Sequence, residues 1–368
     1  MHNKTGLFDN IIPLSFNNFT PLTRTPWGGK QIFETYKRQL PGVAQTSIGE
    51  SWEFSCDAHF PSKLLTSSAT LQSLVDEFPA EVLSRHRVED NTCQLLVKLI
   101  NARDPLSIQV HPEDADAHLK PDECGKPESW LILDVEPGAG VYLGFANAVS
   151  KDEIRRALQR NEDISTFLQF VTVKPYDYFE IKPGLVHAIG PGITLLEPQR
   201  ITAGKSGKTY RVWDWGRRYD SKGMPDPKGT LRDLHIEQAL NVIEPEKKFG
   251  AALLEEVRVR PIITRMGQAT VRAYSANAYY QTNLFSLESE VGARFALEDG
   301  YGVLTVLGGA IKVKGKSKDI SLSTGQTALV PAALRNFYIS AATSGGATFS
   351  LIVSSGSRFH YESPLIAK

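Results

Sequence analysis

Apolar positions come in short runs rich in Val, Ile and Leu, broken by 21 prolines and 29 glycines scattered along the chain. Short runs between turn residues predict β-strands rather than long helices. Strands are expected at residues 49–55, 94–100, 107–110, 129–135 and 140–145. The turns Pro183-Gly184 and Pro191-Gly192 then separate the short runs 185–190 and 193–197. Short strands joined by tight turns suit a small antiparallel barrel or jelly roll. Helical spacing is local. Leu71, Leu74, Val75 and Phe78 share a face within 70–83, and Ser150-Lys151-Asp152-Glu153 has the pattern of a capping box. Ile154, Leu158, Ile164, Phe167 and Leu168 supply the apolar side of this second helical stretch, with a break near Asn161. Short helices are also expected around 114–120 and 234–242, and Pro26-Trp27-Gly28-Gly29-Lys30 reads as a loop leading into a helix or strand.

The polar stretch Glu244-Pro245-Glu246-Lys247-Lys248 marks a boundary. Before it, residues 1–248 would form a catalytic β unit with a helical insert at about 150–170. After it, the runs 301–309, 310–313 and 325–331 have the rhythm of a second small barrel over 249–368. From residue 250 onwards the only histidine is His360, so this second unit is expected to lack a metal site and to serve as structure or rim. The fold class is therefore mainly β, two barrels with helical insertions.

Bulk properties narrow the partners. Lys+Arg and Asp+Glu both number 41 in 368 residues, so no overall field favours nucleic acid or an acidic membrane surface. No apolar run approaches a spanning length, and residues 1–10 include Lys4 and Asp9 instead of the apolar stretch of a signal peptide. Cys56, Cys93 and Cys124 are an odd number at wide spacing, which suits a reducing compartment. A cytoplasmic monomer or homodimer acting on a small molecule is the expectation.

The first chemistry lies at Gln109 and His111. Two residues apart on a strand, they face the same side, which is half of a mixed nitrogen and oxygen metal site or else a strand edge with two satisfied polar residues. Glu128, which opens the run Ser129-Trp130-Leu131-Ile132, and His187, just past a Pro-Gly turn, are further candidates. Two imidazoles, a carboxylate and an amide oxygen suit one zinc ion or another borderline divalent ion. The amide is neutral, so the ion and Glu128 together would keep a charge of about +1, useful against an anionic intermediate.

PLSIQVHP at 105–112, GKPE at 125–128, GLVHAIGPG at 184–192, LLE at 195–197 and TYRVWDW at 209–215 follow in order. With these five motifs the chain resembles the class I mannose-6-phosphate isomerases, zinc-dependent cupin-barrel enzymes, and is most similar to their short bacterial form. The resemblance covers about residues 20–250 and extends more weakly into the C-terminal barrel. It implies Gln109, His111, Glu128 and His187 as metal ligands, Lys126 and Arg211 beside a sugar phosphate, and Glu197 as a candidate acid and base, with a metal-bound water or another acid as the alternative. Trp27, Glu50, Lys98 and Ser107 fall where that family has pocket residues. An aldose and a ketose interconvert by moving a proton between neighbouring carbons through an enediol or enediolate, which needs a positioned base and a stabilised oxyanion. Arg211 offers paired donors for a phosphate, and Lys126 a point charge.

Two departures from the family stand out. Gly125 occupies a place where the family often has histidine, and the stretch from Gln199 to Lys208 is longer and more basic, a source of extra phosphate contacts. Gly204-Lys205-Ser206 and Gly207-Lys208-Thr209 mimic the end of a nucleotide-binding loop. The earlier glycine is missing, and a strand-like segment follows where a helix is needed. Two other functions compete with the isomerase. A cupin oxygenase is disfavoured by Gln-x-His in place of His-x-His and by the cationic Lys126 and Arg211. A non-catalytic sugar-binding cupin has no need of a complete ligand set. The remaining histidines His59 and His118 read as loop residues, and Trp213 with Trp215 as packing.

Overall fold

The computed structural model describes residues 4–84, 93–202, 204–274, 277–289 and 291–362. Residues 1–3 of the N-terminal stretch and Ala203 of the basic stretch lie outside them. A 3-10 turn at Lys4–Asp9 comes first, then β1 (Ile12–Pro13), a π-helical turn at Ile32–Lys37, β2 (Glu50–Phe54), and two short helices, α1 (Leu71–Glu77) and α2 (Pro79–Val82). Then come β3 (Leu95–Ala102), β4 (Ile108–Val110), β5 (Glu123–Cys124), β6 (Glu128–Val135) and β7 (Gly140–Phe145). After α3 (Lys151–Gln159) follow β8 (Leu168–Thr172), β9 (Tyr178–Ile181), β10 (His187–Ile189), β11 (Ile193–Arg200), β12 (Ser206–Gly207) and β13 (Tyr210–Trp213). A two-stranded ribbon, β14 (Arg218–Tyr219) with β15 (Thr230–Leu231), precedes α4 (Ile236–Val242) and α5 (Gly250–Val257).

Two five-stranded antiparallel sheets make the first barrel, in the orders β13-β4-β10-β7-β8 and β2-β3-β11-β6-β9. The second sheet is buried on both faces, which is why its strands read as nearly continuous apolar runs. Alternation still sorts them. Ile100, Ala102, Ile132, Ile193 and Leu195 point between the sheets and pack on Val141, Leu143 and Ile189 of the first. Val97, Leu99, Leu131, Leu133 and Leu196 point the other way, into a core shared with Tyr280, Leu284, Val303, Leu329 and Ile352. Moving along β3 and β11 on the inner face, the apolar residues give way to Lys98, Glu197 and Gln199. The interior is thus apolar at one end and polar at the other.

Beyond α5 the chain forms a rolled antiparallel sheet around a 13-residue strand, Gly302–Lys314. Phe285, Phe295, Phe337 and Phe349 fill its inside. β1 pairs with the strand Thr327–Val330, Ile12 opposite Leu329, so the N-terminal segment adds to this second sheet. The mainly β architecture read from the sequence is what the chain adopts.

Several local expectations change. Residues 114–120 form turns instead of a helix. The Asp116 carboxylate accepts the His118 N–H, a local bond that competes with helix formation, and that of Asp114 accepts the more distant Gly125 N–H. The capping box at Ser150 forms as expected, but α3 stops at Gln159, and Asn161 has a left-handed φ of 53°. After it comes a single 3-10 turn, Ile164–Phe167, and then β8 pairs with β7, so residues 168–170 are strand.

Candidate functional site

The polar end of the first barrel is built from both sheets. β4 and β10 pair so that Gln109 lies opposite His187, and β13 places Arg211 on the other side of Gln109. On the facing sheet, Glu197 of β11 lies opposite Lys98 of β3, and Gln199 lies opposite Glu128 of β6. Strand pairing thus gathers residues that lie up to about a hundred positions apart in the chain.

His111, Glu128 and His187 are all buried, and one ligand-type atom from each falls within 4.8 Å of the others. His111 Nε2 lies 3.3 Å from Glu128 Oε2, and His187 Nε2 lies 3.5 Å from Glu128 Oε1. Ligands held tetrahedrally at about 2.1 Å from a zinc ion stand roughly 3.4 Å apart. The outward nitrogens are already used. His187 Nδ1 donates to the Leu185 carbonyl at 2.8 Å, and His111 Nδ1 to the Lys208 carbonyl at 3.1 Å. Those bonds set the tautomer and leave each Nε2 as a bare acceptor. Both Nε2 atoms and Glu128 Oε1 are buried without a hydrogen-bond partner. Three unpartnered acceptors converging on one point are unfavourable unless a cation sits among them. This donor set therefore fits a divalent metal.

The electrostatics agree. Burial and the neighbouring His111 hold His187 down at about 3, and burial and Lys126 lower His111, so both rings are neutral near pH 7. Burial would raise Glu128, but the charge of Lys126 overrules it and keeps its carboxyl well below the usual range.

Trp27, Glu50, Lys98, Ser107, Gln109, Lys126, Glu197 and Arg211 all line one cavity of about 400 Å³. Lys126 Nζ is 3.1 Å from Glu128 Oε2, so it sits against the ligand cluster. Lys98 lies 3.7 Å from Glu50 and 3.8 Å from Glu197, with its ammonium 4.5 Å from the centre of the Trp52 ring. Trp130 Nε1 donates to Glu197 Oε1 at 3.1 Å. Burial and the charge of Glu128 push Glu197 up to about 8, against the pull of Lys98 and Lys126. A carboxyl poised near neutrality beside a cavity is suited to taking up and giving back a proton. Arg211 donates through Nη1 to the Asp233 carbonyl at 3.0 Å, while its Nε is buried without a partner. Burial and the adjacent Arg232 charge lower its pKa, and a pair of neighbouring guanidiniums favours an anion.

Glu128 does not pair with Arg211; its partners are Lys126 and Gln199, and the neutral His111 and His187 face it as fellow acceptors. His118 is exposed and bonded to Asp116, while His59 lies in a bend that reaches the cavity mouth. Trp213 and Trp215 pack together, ring centres 5.2 Å apart. Among the basic stretch, Lys208 pairs with Glu123 at 2.6 Å, while Ser206 and Gly207 line the cavity. Sequence reasoning missed Arg24, Trp52 and Arg232 in the cavity wall and treated Gln199 only as the start of the basic stretch. Gln199 had a signal, the same two-residue spacing from Glu197 that singled out Gln109 and His111.

The model of the phosphomannose isomerase type I catalytic domain matches residues 20–133. Mannose-6-phosphate isomerase ManA of Bacillus subtilis is 33% identical over 224 residues, 59% of this chain and 64% of that protein. A second relative, the mannose-6-phosphate isomerase of Streptococcus mutans, is 33% identical over 231 residues, 61% of this chain and 66% of that protein. These alignments thus span somewhat under two thirds of each relative's length. The crystal structure of a Bacillus subtilis mannose 6-phosphate isomerase superposes with a TM-score of 0.76 at 26% identity, covering 94% of this chain and 99% of that one. The structure of a putative mannosephosphate isomerase from Archaeoglobus fulgidus shares the fold with a TM-score of 0.71 at 23% identity.

Proposed function

We propose that this chain, which belongs to the type I phosphomannose isomerase family, interconverts mannose 6-phosphate and fructose 6-phosphate. The observation that carries the reading is the convergence of two bare imidazole nitrogens and an unpartnered carboxylate oxygen beside a cavity bearing Glu197 and Arg211. His111, Glu128 and His187 would hold the ion, with Gln109 as fourth ligand from the strand next to His187. Zinc, one per chain, is the ion this set suits best. When bound it would supply Lewis-acid stabilisation to the oxygen on which negative charge develops.

The chain's own groups then divide the remaining work. Glu197 takes the proton from one carbon of the open-chain sugar and returns it to the next, through an enediol or enediolate. Trp130 fixes one of its oxygens, and Lys98 stands 3.8 Å from the other. Lys126 holds positive charge next to Glu128. Arg211 meets the phosphate, and Trp27, Glu50 and Ser107 line the sugar's path. In this reading residues 1–248 carry the chemistry, with the helical insert at about 150–170, and 249–368 form a β unit with no metal site. Among the described residues, no helix is long and apolar enough to cross a membrane. A cytoplasmic location, a small-molecule sugar-phosphate partner without nucleic acid or membrane, and a monomeric or homodimeric state complete the proposal.

A coupled assay with mannose 6-phosphate, run before and after chelation and with glucose 6-phosphate as control, tests it. Turnover that is lost on chelation and restored by zinc is expected. His187→Ala should lose both bound metal and activity. A metal-free preparation with full activity would overturn the assignment.

A further inference from the structure

One buried polar side chain in the barrel belongs neither to the ligand set nor to the acid–base step. Gln199 on β11 is fully buried. Its Nε2 donates to Glu128 Oε2 at 2.7 Å and to Glu197 Oε2 at 2.6 Å. Carboxylate oxygens accept, so only the NH2 end of the amide suits this place, and its two hydrogens serve the two neighbours. Backbone geometry makes the bridge. Gln199 lies opposite Glu128 in the β11–β6 pairing and two residues along β11 from Glu197, on the same face.

The other end of the amide is informative. Gln199 Oε1 is buried with no partner. An orphaned amide oxygen lowers stability, and an apolar side chain of the same length would fill the space without it. What glutamine adds at this position is the pair of donated hydrogen bonds. Glu197 is thereby held at both oxygens, by Trp130 and by Gln199. Glu128 Oε2 has Gln199 and Lys126 as its partners, with the acceptor His111 Nε2 3.3 Å away.

We propose that Gln199 is a positioning residue whose single amide fixes Glu128 and Glu197 relative to each other, coupling the metal site to the proton-transferring carboxylate. The inference rests on the function proposed above for those two carboxylates. Gln199 touches no reacting atom in this role. It sets where the base stands with respect to the ion, and small displacements of a reacting group slow turnover steeply. Partners that orient a ligand carboxylate also tune metal affinity.

The test uses full-length Gln199→Met and Gln199→Glu beside the unmodified protein. Zinc affinity is measured on metal-stripped protein by competition with a chromogenic chelator, and kcat and KM are measured separately for mannose 6-phosphate. Gln199→Met should weaken zinc binding by about 10–100-fold, the range seen when an outer partner of a ligand is removed. Its kcat should fall by at least about tenfold while KM stays within roughly threefold, because the loss is in alignment of the base. Gln199→Glu keeps the shape but turns both donors into a third carboxylate, so its kcat should fall further. A side chain that only filled space would leave zinc affinity and kcat unchanged in Gln199→Met, and that result overturns the inference. Should Gln199→Met fail to fold by circular dichroism, Gln199→Glu decides, and unmodified zinc affinity and kcat there overturn the inference equally. If the unmodified protein binds zinc but does not turn over mannose 6-phosphate, the substrate assignment fails and the zinc measurement still decides the role of Gln199. If it binds no zinc, both readings fall.

Discussion

Replacing Lys37 by Met would remove one half of an ion pair that joins the two β units from inside. Lys37 Nζ lies 2.6 Å from Glu53 Oε1, and their side chains are 0% and 1% exposed. Lys37 also donates to the Gly325 carbonyl at 2.6 Å. Ser51 Oγ and Thr327 Oγ1 donate to the two oxygens of Glu53 at 2.6 and 2.9 Å. Glu53 sits on the back of β2, the strand that bears Glu50 and Trp52 on its cavity side. Breaking a buried pair strands a charge in a dry interior, so Lys37→Met and Glu53→Gln should each lower stability by about 3–5 kcal/mol. The double variant should cost far less than their sum. Its new amide accepts from Ser51 and donates to Thr327, whose own proton then passes to Thr305 Oγ1, 3.1 Å away. Only the Gly325 carbonyl loses its donor, a matter of about 1 kcal/mol. Urea unfolding of the four proteins, followed by tryptophan fluorescence, gives the cycle. Single losses below about 1 kcal/mol, or a double variant equal to the sum, would refute the idea that a desolvated pair clamps the units together. pH supplies a second arm. Burial lowers the pKa of Lys37, with Glu53 opposing. The folded protein then holds that proton less tightly than the unfolded chain, so the penalty is full below the folded pKa and fades as pH rises towards 10.5. Without Glu53 the lowering widens. The destabilisation in Glu53→Gln should therefore shrink as pH is raised from about 7 towards 10. Lys37→Met has no lysine to titrate there and should show no such recovery.

Two smaller changes probe how backbone geometry supports the site and the fold. A Cβ at Gly49 would lie 2.6 Å from Thr25 Cβ, where the backbone of Gly28 also crosses close by, so Gly49→Ala should cost about 1–3 kcal/mol and raise KM by parting Trp27 from Glu50. A KM equal to that of the unmodified protein would mean that this crossing does not shape the cavity. Asn161, left-handed at φ 53°, should accept glycine with a change within about 0.5 kcal/mol, whereas Asn161→Val should lose about 1–2 kcal/mol in urea unfolding. Equal midpoints for the two variants would show that the left-handed turn yields easily.

How much of this was legible follows from where each signal lives. Gln109 and His111 could be read because a strand puts residues two apart on one face, a rule that needs no tertiary knowledge. Glu128 and His187 were approachable because each adjoins a strand whose apolar run was visible. The same spacing rule, carried from Glu197 to Gln199, would have reached the bridging amide. Lys37 and Glu53 gave no such sign. Their partners Gly325 and Thr327 lie more than 270 positions away, and nothing in a local window distinguishes a buried lysine from a solvated one. Arg232 follows the short ribbon strand β15, outside both barrel sheets, so strand periodicity carried no information about it. The expected helix at 114–120 failed for a different reason. Asp116 there spends its carboxylate on the nearby His118 N–H, an alternative that apolar spacing does not register.

On the proposed function, the distribution of charge explains how one cavity would suit a substrate that is neutral at one end and anionic at the other. Deep in the site, the carboxylates Glu50, Glu128 and Glu197 stand against the ammonium groups of Lys98 and Lys126. With Glu197 in the ionised form that can take a proton, three carboxylates face two ammonium groups, a net charge of about −1. The inner end is then slightly negative before any ion is added. A divalent ion there would bring positive charge that the protein does not fully cancel, and an anionic enediolate is the species able to use it. Arg24, Arg211 and Arg232 also line the cavity, and the last two are close enough for like-charge repulsion to depress Arg211. Repulsion between neighbouring guanidiniums is relieved by a dianion held between them, not by a hydroxyl. On the proposed reading the phosphate therefore belongs with the arginines and the carbonyl end with the ligand cluster. In that arrangement the two carbons between which the proton moves would lie beside Glu197.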